Sequence, residues 1–274
     1  MSNLLIRSLT GVVYVAVILC GLSHTDIFPF VFGAAAGLTL WEFYGLMGAF
    51  GYTPLRKVGA TIGGVYLFLA SFAYVNGWAD GSIFLPYILF LMSAFILELY
   101  GKAACPVHNW AFILLGQVYC AAPFALLNFM LFQPAVGGRV EFVALPGLAL
   151  FVFVWLNDSG AYLIGSRLGR RRLFERISPK KSWEGFWGGL IVTLSSSQVF
   201  AAYSSYTTWY KWLGMAVVVV VFATWGDLIE SLLKRTLGVK DSGSLLPGHG
   251  GMLDRLDSIL MALPALYIYI MLFI

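Results

Sequence analysis

The sequence predicts an all-α integral membrane protein with about nine transmembrane helices. Of its 274 residues, 60% are hydrophobic and 11% are charged, and its mean hydropathy is +0.84. A soluble domain of this size could not bury so much apolar surface, because soluble domains are roughly half apolar. Since no polar stretch is long enough to hold a core of its own, we expect one continuous membrane domain.

Nine apolar stretches are each close to the roughly 20 residues that a helix needs to cross the hydrocarbon of a bilayer. Helix is the expected structure, because an open sheet would leave backbone groups unpaired in lipid. We expect the first five spans to form an N-terminal region, 1–140, and the last four a catalytic region, 141–274. The spans cover residues 4–22, 27–49, 58–76, 82–100, 110–132, 142–166, 185–203, 210–236 and 257–274.

The positive charges predict the orientation of these spans. All but two of the 17 Lys and Arg residues fall at the N-terminus or in loops on one side of the membrane, and the exceptions are Arg139 and Lys211. Because basic loops stay in the cytoplasm, the N-terminus is predicted to be cytoplasmic and the C-terminus to lie on the opposite side. The loops between spans 6 and 7 and between spans 8 and 9 are then cytoplasmic.

The end of span 8 carries an unusual row of polar side chains. Asp227, Glu230, Ser231 and Lys234 are spaced i, i+3, i+4 and i+7, so on a helix they share one face. An unpaired carboxylate in an apolar environment costs several kcal/mol or becomes protonated. A cation beside Asp227 would remove that cost.

A second carboxylate pair, Asp254 and Asp257, lies where span 9 begins. Between the two pairs runs the loop GVKDSGSLLPGHGG, whose glycines allow backbone N–H groups to approach phosphate oxygens. Mg²⁺ prefers oxygen ligands and is often held by one or two carboxylates plus substrate phosphates. The pattern predicts a Mg²⁺–phosphate site, and the alternative is a set of interfacial charges that extend to water.

The basic loop between spans 6 and 7, RLGRRRLFERISPKKSWEG, has two interpretations. It is either a topogenic loop that also holds anionic lipid heads, or a segment that folds over a nearby site and offers Lys180 and Lys181 to phosphate. The polar pair Asn157–Asp158 lies deep in span 6 and leads into this loop. Glu42 and Glu98, near the ends of spans 2 and 4, either line a polar cavity or reach the interface.

Several other classes of site have no support in the sequence. The three cysteines have no C-x-x-C spacing, and with only three histidines they form no zinc signature. The Gly-rich phosphate-binding motifs of P-loop and dinucleotide-binding proteins are also absent.

Residues 231–257, SLLKRTLGVKDSGSLLPGHGGMLDRLD, resemble the signature of the phosphatidate cytidylyltransferases, or CDP-diacylglycerol synthases, without a departure from it. The SPKKSWEG stretch and Asn157–Asp158 are also similar to that family. The resemblance is specific over roughly the last 120 residues, whereas spans 1–5 match in general character only.

The resemblance implies that CTP and phosphatidic acid react to give CDP-diacylglycerol and pyrophosphate in phospholipid biosynthesis. It also implies Mg²⁺, a second cation such as K⁺, a homodimer, and an active site on the cytoplasmic face of the cell's inner membrane. The residues that it makes catalytic are Asp227, Asp254, Lys234 and Asp257, and Ser231 joins the three aspartates as a metal ligand. Those that it assigns to substrate binding are Ser231, Arg235, Lys240, His249, Gly250, Gly251, Arg255, Lys180, Lys181, Asn157 and Asp158.

Two other functions are compatible with the composition. A different phospholipid head-group transferase, a CDP-alcohol phosphatidyltransferase, would carry the pattern D-G-x(2)-A-R-x(8)-G-x(3)-D-x(3)-D, which the chain lacks. A cation- or proton-coupled transporter would use intramembrane carboxylates and show broken helices in matching halves. Here the charge is concentrated in the C-terminal third instead.

Overall fold

The computed structural model describes residues 3–103, 105–135, 137–243, 245 and 250–274, and within these ranges the chain is mainly α-helical. The first six helices are α1 (Asn3–Ser23), α2 (Phe28–Leu46), α3 (Pro54–Val75), α4 (Leu85–Tyr100), α5 (Pro106–Gly116) and α6 (Ala122–Leu131). The remaining four are α7 (Leu145–Leu168), α8 (Trp183–Tyr203), α9 (Trp209–Thr236) and α10 (Leu253–Phe273). The prediction of an all-α membrane protein is confirmed at this level.

Each predicted span falls on helical structure. The span 110–132 is one stretch in which a short π-helix, Gln117–Ala121, joins α5 to α6. Within the described part of the chain, seven helical stretches are long and apolar enough to cross a membrane. They are Phe28–Phe50, Leu55–Val75, Gly81–Tyr100, Pro106–Leu131, Leu145–Leu168, Trp209–Thr236 and Leu253–Phe273.

Proline marks the start of many of these helices. Helices α2 to α6 each have a proline in one of their first two positions. Proline suits these positions because its missing N–H would be unpaired there in any case. Helix α10 begins at Leu253, four residues before the predicted 257, so it includes both aspartates of the second carboxylate pair.

Two short antiparallel hairpins lie between helices, and the sequence did not predict them. Strand β1 (Phe132–Pro134) pairs with β2 (Val140–Phe142), and β3 (Arg172–Phe174) pairs with β4 (Ser178–Ser182). The second hairpin contains the basic segment that leads into α8.

The chain divides into two compact units. The first consists of Met1–Ala144 and Asp241–Arg255, and the second of Leu145–Lys240 and Leu256–Ile274. The first unit has an aromatic core, in which the fully buried Phe28 contacts five other rings. These belong to Phe32, Phe68, Phe72, Phe132 and Phe142.

In the second unit, glycines allow α7 and α8 to approach each other closely. A Cβ atom at Gly160 would lie 3.1 Å from the Gly189 Cα, and one at Gly165 would lie 3.3 Å from the Gly185 Cα. Small residues at such contacts are typical of helix packing in membranes. This packing aligns α7, which carries Asp158, with the start of α8.

Candidate active site

The basic segment before α8 has a defined structure. The Ser182 hydroxyl accepts a hydrogen bond from the Gly185 N–H at 3.1 Å and so caps the start of α8. The Glu184 carboxylate accepts hydrogen bonds from the backbone of Arg170 and Arg171. Together with its own backbone N–H, these donors hold the pKa of the Glu184 carboxyl below its usual range. The hairpin is thereby attached to α8 at its base.

This hairpin directs Lys181 towards helix α9. The Lys181 Nζ lies 2.5 Å from an Asp227 carboxylate oxygen, and both side chains are less than one-third exposed. The other Asp227 oxygen accepts a hydrogen bond from the Ser231 hydroxyl at 3.1 Å. The neighbouring Lys180 is exposed. Of the two interpretations of this segment, the structure favours the one in which it folds back over a polar site.

A glycine beside Asp227 places α10 against α9. A Cβ atom at Gly226 would lie 2.6 Å from the Asp257 carbonyl oxygen and 3.1 Å from the Ser258 Cα, so only glycine fits without displacing α10. Because the two backbones approach so closely, Asp257 interacts electrostatically with Asp227. Asp257 also accepts a hydrogen bond from the Ser258 N–H at 2.5 Å.

Two further charged residues lie within electrostatic range of Asp257, namely Asp158 and Lys181. We call Asp158, Lys181, Asp227 and Asp257 the charge cluster. It combines three carboxyl groups with one ammonium group, and its Asp158 is exposed. Carboxylates close to one another repel, and a bound cation would remove this repulsion because an opposite charge stabilises the ionised form of a carboxyl group.

The donor chemistry of the charge cluster fits Mg²⁺, which prefers carboxylate and hydroxyl oxygens. Among the described residues, no three His, Cys, Asp or Glu side chains converge closely enough to hold a metal by themselves. A cation here would therefore take at most two carboxylates from the described chain and complete its shell with other oxygens. Mg²⁺ commonly binds in this way when it carries substrate phosphates.

Next along α9, Lys234 forms an ion pair with Glu230 one helical turn earlier. The Glu230 side chain is fully buried and Lys234 is mostly buried. The Lys234 ammonium group balances the charge of the Glu230 carboxylate, because a buried carboxylate without a partner would be costly. Arg235 and Lys240 are exposed, at the end of α9 and just beyond it.

Asp254 lies in the first unit, at the start of α10, and backbone donors surround it. Its carboxylate accepts hydrogen bonds from the Gly251 N–H at 2.7 Å and from the Ser242 N–H at 3.0 Å. Gly250, with a φ of 83°, occupies the left-handed region that glycine tolerates best. A carboxylate at this position also suits the positive end of the helix dipole.

Glu42 of α2 reaches the same segment and has a role that the sequence left open. Its side chain is buried, and one carboxylate oxygen accepts from the Ser242 hydroxyl at 3.1 Å and from the Leu253 N–H at 2.9 Å. Nothing in the sequence links Glu42 to residues 200 positions away. The other open case, Glu98, forms an ion pair with Arg56 at 2.6 Å and accepts from Asn109.

The remaining predicted residues have varied surroundings. Arg255 is exposed. Asn157 is buried. A Cβ atom at Gly189 would lie 2.5 Å from the side-chain oxygen of Asn157, so this residue belongs to the α7–α8 contact. His249 lies outside the described residues.

Comparison with known proteins extends the resemblance over nearly the whole chain. The sequence model of the Cytidylyltransferase family matches residues 5–273. The phosphatidate cytidylyltransferase of Haemophilus influenzae is 34% identical over 279 residues, which cover 94% of this chain and 95% of that protein.

Two further relatives match over shorter stretches, and both bear the same name. The Bacillus subtilis protein is 46% identical over 123 residues, or 44% of this chain and 46% of that protein. The protein of Staphylococcus aureus strain COL is 39% identical over 160 residues, or 58% of each chain. The family model and the full-length relative together show that this chain belongs to the cytidylyltransferase family.

Proposed function

We propose that this chain is a phosphatidate cytidylyltransferase, a nucleotidyltransferase of phospholipid biosynthesis. An oxygen of the phosphatidic acid phosphate attacks the α-phosphorus of CTP, the bond from that phosphorus to the oxygen bridging to the β-phosphate breaks, and pyrophosphate leaves. The product is CDP-diacylglycerol. The observation that carries this proposal is the meeting of Lys181, Asp227 and Asp257 on three different elements of the second unit.

The reaction needs charge neutralisation more than it needs a base. The phosphate of phosphatidic acid is itself an anionic nucleophile, and it must approach a nucleotide that carries several negative charges. Catalysis therefore rests on positioning and electrostatic stabilisation. We propose that Lys181 binds a phosphate oxygen when it is not paired with Asp227, since an ammonium group can pair with either anion.

In this proposal Asp227 and Asp257 would hold Mg²⁺, and the Ser231 hydroxyl would orient Asp227 through its 3.1 Å hydrogen bond. When bound, Mg²⁺ would neutralise phosphate charge on CTP. The resemblance predicts Asp254 and Ser231 as further metal ligands and K⁺ as a second cation. In the arrangement proposed here backbone N–H groups satisfy Asp254 instead, and the Mg²⁺ dependence of an Asp254 variant decides between the two.

Other residues are proposed to bind the substrates. Lys234 supports the site from its ion pair with Glu230, next to Ser231 on α9. Asp158 contributes to the charge cluster from α7. The exposed cations near the helix ends, together with the glycines and histidine of the loop, are proposed to contact CTP phosphates or pyrophosphate. They are Lys180, Arg235, Lys240, Arg255, His249, Gly250 and Gly251.

For the topology, we propose nine membrane crossings, with the N-terminus in the cytoplasm and the C-terminus on the opposite side of the inner membrane. The distribution of Lys and Arg supports this orientation. CTP is made in the cytoplasm, and this topology places the charge cluster there. We also propose a homodimer, which the mass of the detergent-solubilised protein would test.

The proposed function is tested by supplying the purified protein with CTP, phosphatidic acid and Mg²⁺. We expect equal amounts of pyrophosphate and CDP-diacylglycerol, and neither product without phosphatidic acid. Transfer of a head group from CDP-diacylglycerol to an alcohol, or ion flux in liposomes without CTP turnover, would contradict the proposal.

A further inference from the structure

We infer that Glu42 is a positioning residue for the segment 241–255, which we call the nucleotide loop, through contacts with its described residues 241–243 and 250–255. The inference rests on the proposed function, because the importance of this loop for CTP depends on it. Glu42 lies on α2, far from the signature in sequence, and the resemblance assigns it no role. Its contacts, however, lie within the signature itself.

The carboxylate of Glu42 holds two separate points of the nucleotide loop. It accepts one hydrogen bond from the Ser242 hydroxyl near the start of the loop, at 3.1 Å. It accepts another from the Leu253 N–H at the first residue of α10, at 2.9 Å. One side chain thus joins Ser242 to the first residue of α10.

Asp254 makes the complementary pair of contacts. It accepts from the Ser242 N–H and the Gly251 N–H, so Ser242 donates its backbone to Asp254 and its hydroxyl to Glu42. Glu42 and Asp254 therefore hold Ser242 through two different donors, its hydroxyl and its backbone N–H. Loss of Glu42 would leave the Leu253 N–H and the Ser242 hydroxyl without their acceptor in a buried place, which is costly.

Two glycines of the signature leave room for the Glu42 carboxylate. A Cβ atom at Gly243 would lie 2.6 Å from one carboxylate oxygen of Glu42, and its three nearest neighbours would all be Glu42 atoms. A Cβ atom at Gly251 would also collide with this carboxylate. The Glu42 carboxylate thus explains why these two positions are glycine. This explanation does not depend on a contact between the loop and phosphate.

The first experiment separates CTP binding from the rest of catalysis. In Glu42→Ala we expect the KM for CTP to rise about tenfold, since about 1.4 kcal/mol corresponds to a factor of ten. The KM for phosphatidic acid should change less than about twofold. Glu42→Gln should recover most of the loss, because an amide oxygen still accepts both hydrogen bonds. The control is Glu98→Gln, an equally buried carboxyl of the same unit that contacts Arg56 instead of the loop.

The second experiment is a double-mutant cycle between Glu42 and Gly243. Gly243→Ala should lower kcat/KM for CTP about tenfold in the wild type and less than about threefold in the Glu42→Ala background, since residues in contact show non-additive effects. The control is Gly48→Ala, where a Cβ meets no atom within 4 Å. Independent, multiplicative losses would contradict the inference.

A third measurement does not depend on activity. Backbone hydrogen exchange in detergent, without substrate, should be faster at Ser242 and Leu253 in Glu42→Ala than in the wild type, with an unchanged rate in α3. Unchanged exchange together with an unchanged KM for CTP would overturn the inference. If the wild type forms no CDP-diacylglycerol, the proposed function fails, while hydrogen exchange still decides whether Glu42 orders the loop.

Discussion

The nucleotide loop and the charge cluster both depend on carboxylates, but they satisfy them differently. In the loop, backbone N–H groups and a hydroxyl donate to Asp254 and Glu42. In the charge cluster, Asp227 and Asp257 interact electrostatically, and Lys181 is the cation that pairs with Asp227. The carboxylates of the nucleotide loop already accept hydrogen bonds from uncharged groups, whereas those of the charge cluster repel each other.

This difference indicates distinct roles for aspartates only three residues apart on α10. Neutral backbone donors satisfy a carboxylate and order the chain around it. Adjacent carboxylates instead favour a bound cation or a proton. We therefore expect substitutions in the charge cluster to affect the chemical step and substitutions in the nucleotide loop to affect its geometry.

The largest effect is expected from Asp227→Ala. We expect kcat to fall at least about 100-fold, because removing one preorganised group that acts on developing charge costs roughly 10²–10³ in rate. The assay is pyrophosphate release with saturating CTP and phosphatidic acid, and the control is Glu141→Ala, an exposed carboxyl on β2. If kcat fell less than about threefold in a folded Asp227→Ala protein, Asp227 would not be part of the active site.

The next effect tests how α9 and α10 bring the carboxylates together. Gly226→Ala should lower kcat roughly 10- to 100-fold, because the new Cβ must displace Asp257, and a shift of ~1 Å in a site can cost ~100-fold. The control is Gly59→Ala, where a Cβ in helix α3 meets no atom within 4 Å. Normal activity of Gly226→Ala would show that the site does not need this close approach.

A smaller effect is expected from Lys181→Ala. A hydrogen bond to a charged group contributes ~1.5–3 kcal/mol, so we expect kcat/KM for CTP to fall at least about tenfold. The exposed Arg176, in the turn of the same hairpin, provides the control Arg176→Ala. If the two variants had equal kinetics, the basic segment would act in membrane topology and not in CTP binding.

The sequence predicted the helical class because apolar composition and span length are local properties. All nine predicted spans fall on helices, and the one boundary that matters for the site, the start of α10, lies four residues earlier than predicted. The error arose because the charged first turn, Asp254 to Asp257, does not look apolar. The hydrogen bonds to Asp254 that stabilise this turn come from the loop before it.

The candidate site was predictable only where its residues share a helix face or a motif. The i, i+4 spacing of Asp227 and Ser231 predicted that they share a helix face, and in the structure they form a hydrogen bond there. The approach of Lys181 to Asp227 and the contact of Glu42 with Ser242 join distant parts of the chain, and only the fold shows them. The sequence shows Gly226 next to Asp227, but only the fold shows that a side chain at this position would collide with α10.

The most direct test of the difference between the two regions is the Mg²⁺ dependence of CDP-diacylglycerol formation in Asp227→Asn and Asp254→Asn. An amide oxygen still accepts the backbone hydrogen bonds of Asp254, but it cannot replace the charge of Asp227. We expect the Mg²⁺ concentration for half-maximal activity to rise at least about tenfold in Asp227→Asn, since about 1.4 kcal/mol is a factor of ten. In Asp254→Asn it should stay within about threefold of the wild type. A shift as large in Asp254→Asn would show that its charge also holds the metal, and the two regions would then not differ in the way that their hydrogen bonds indicate.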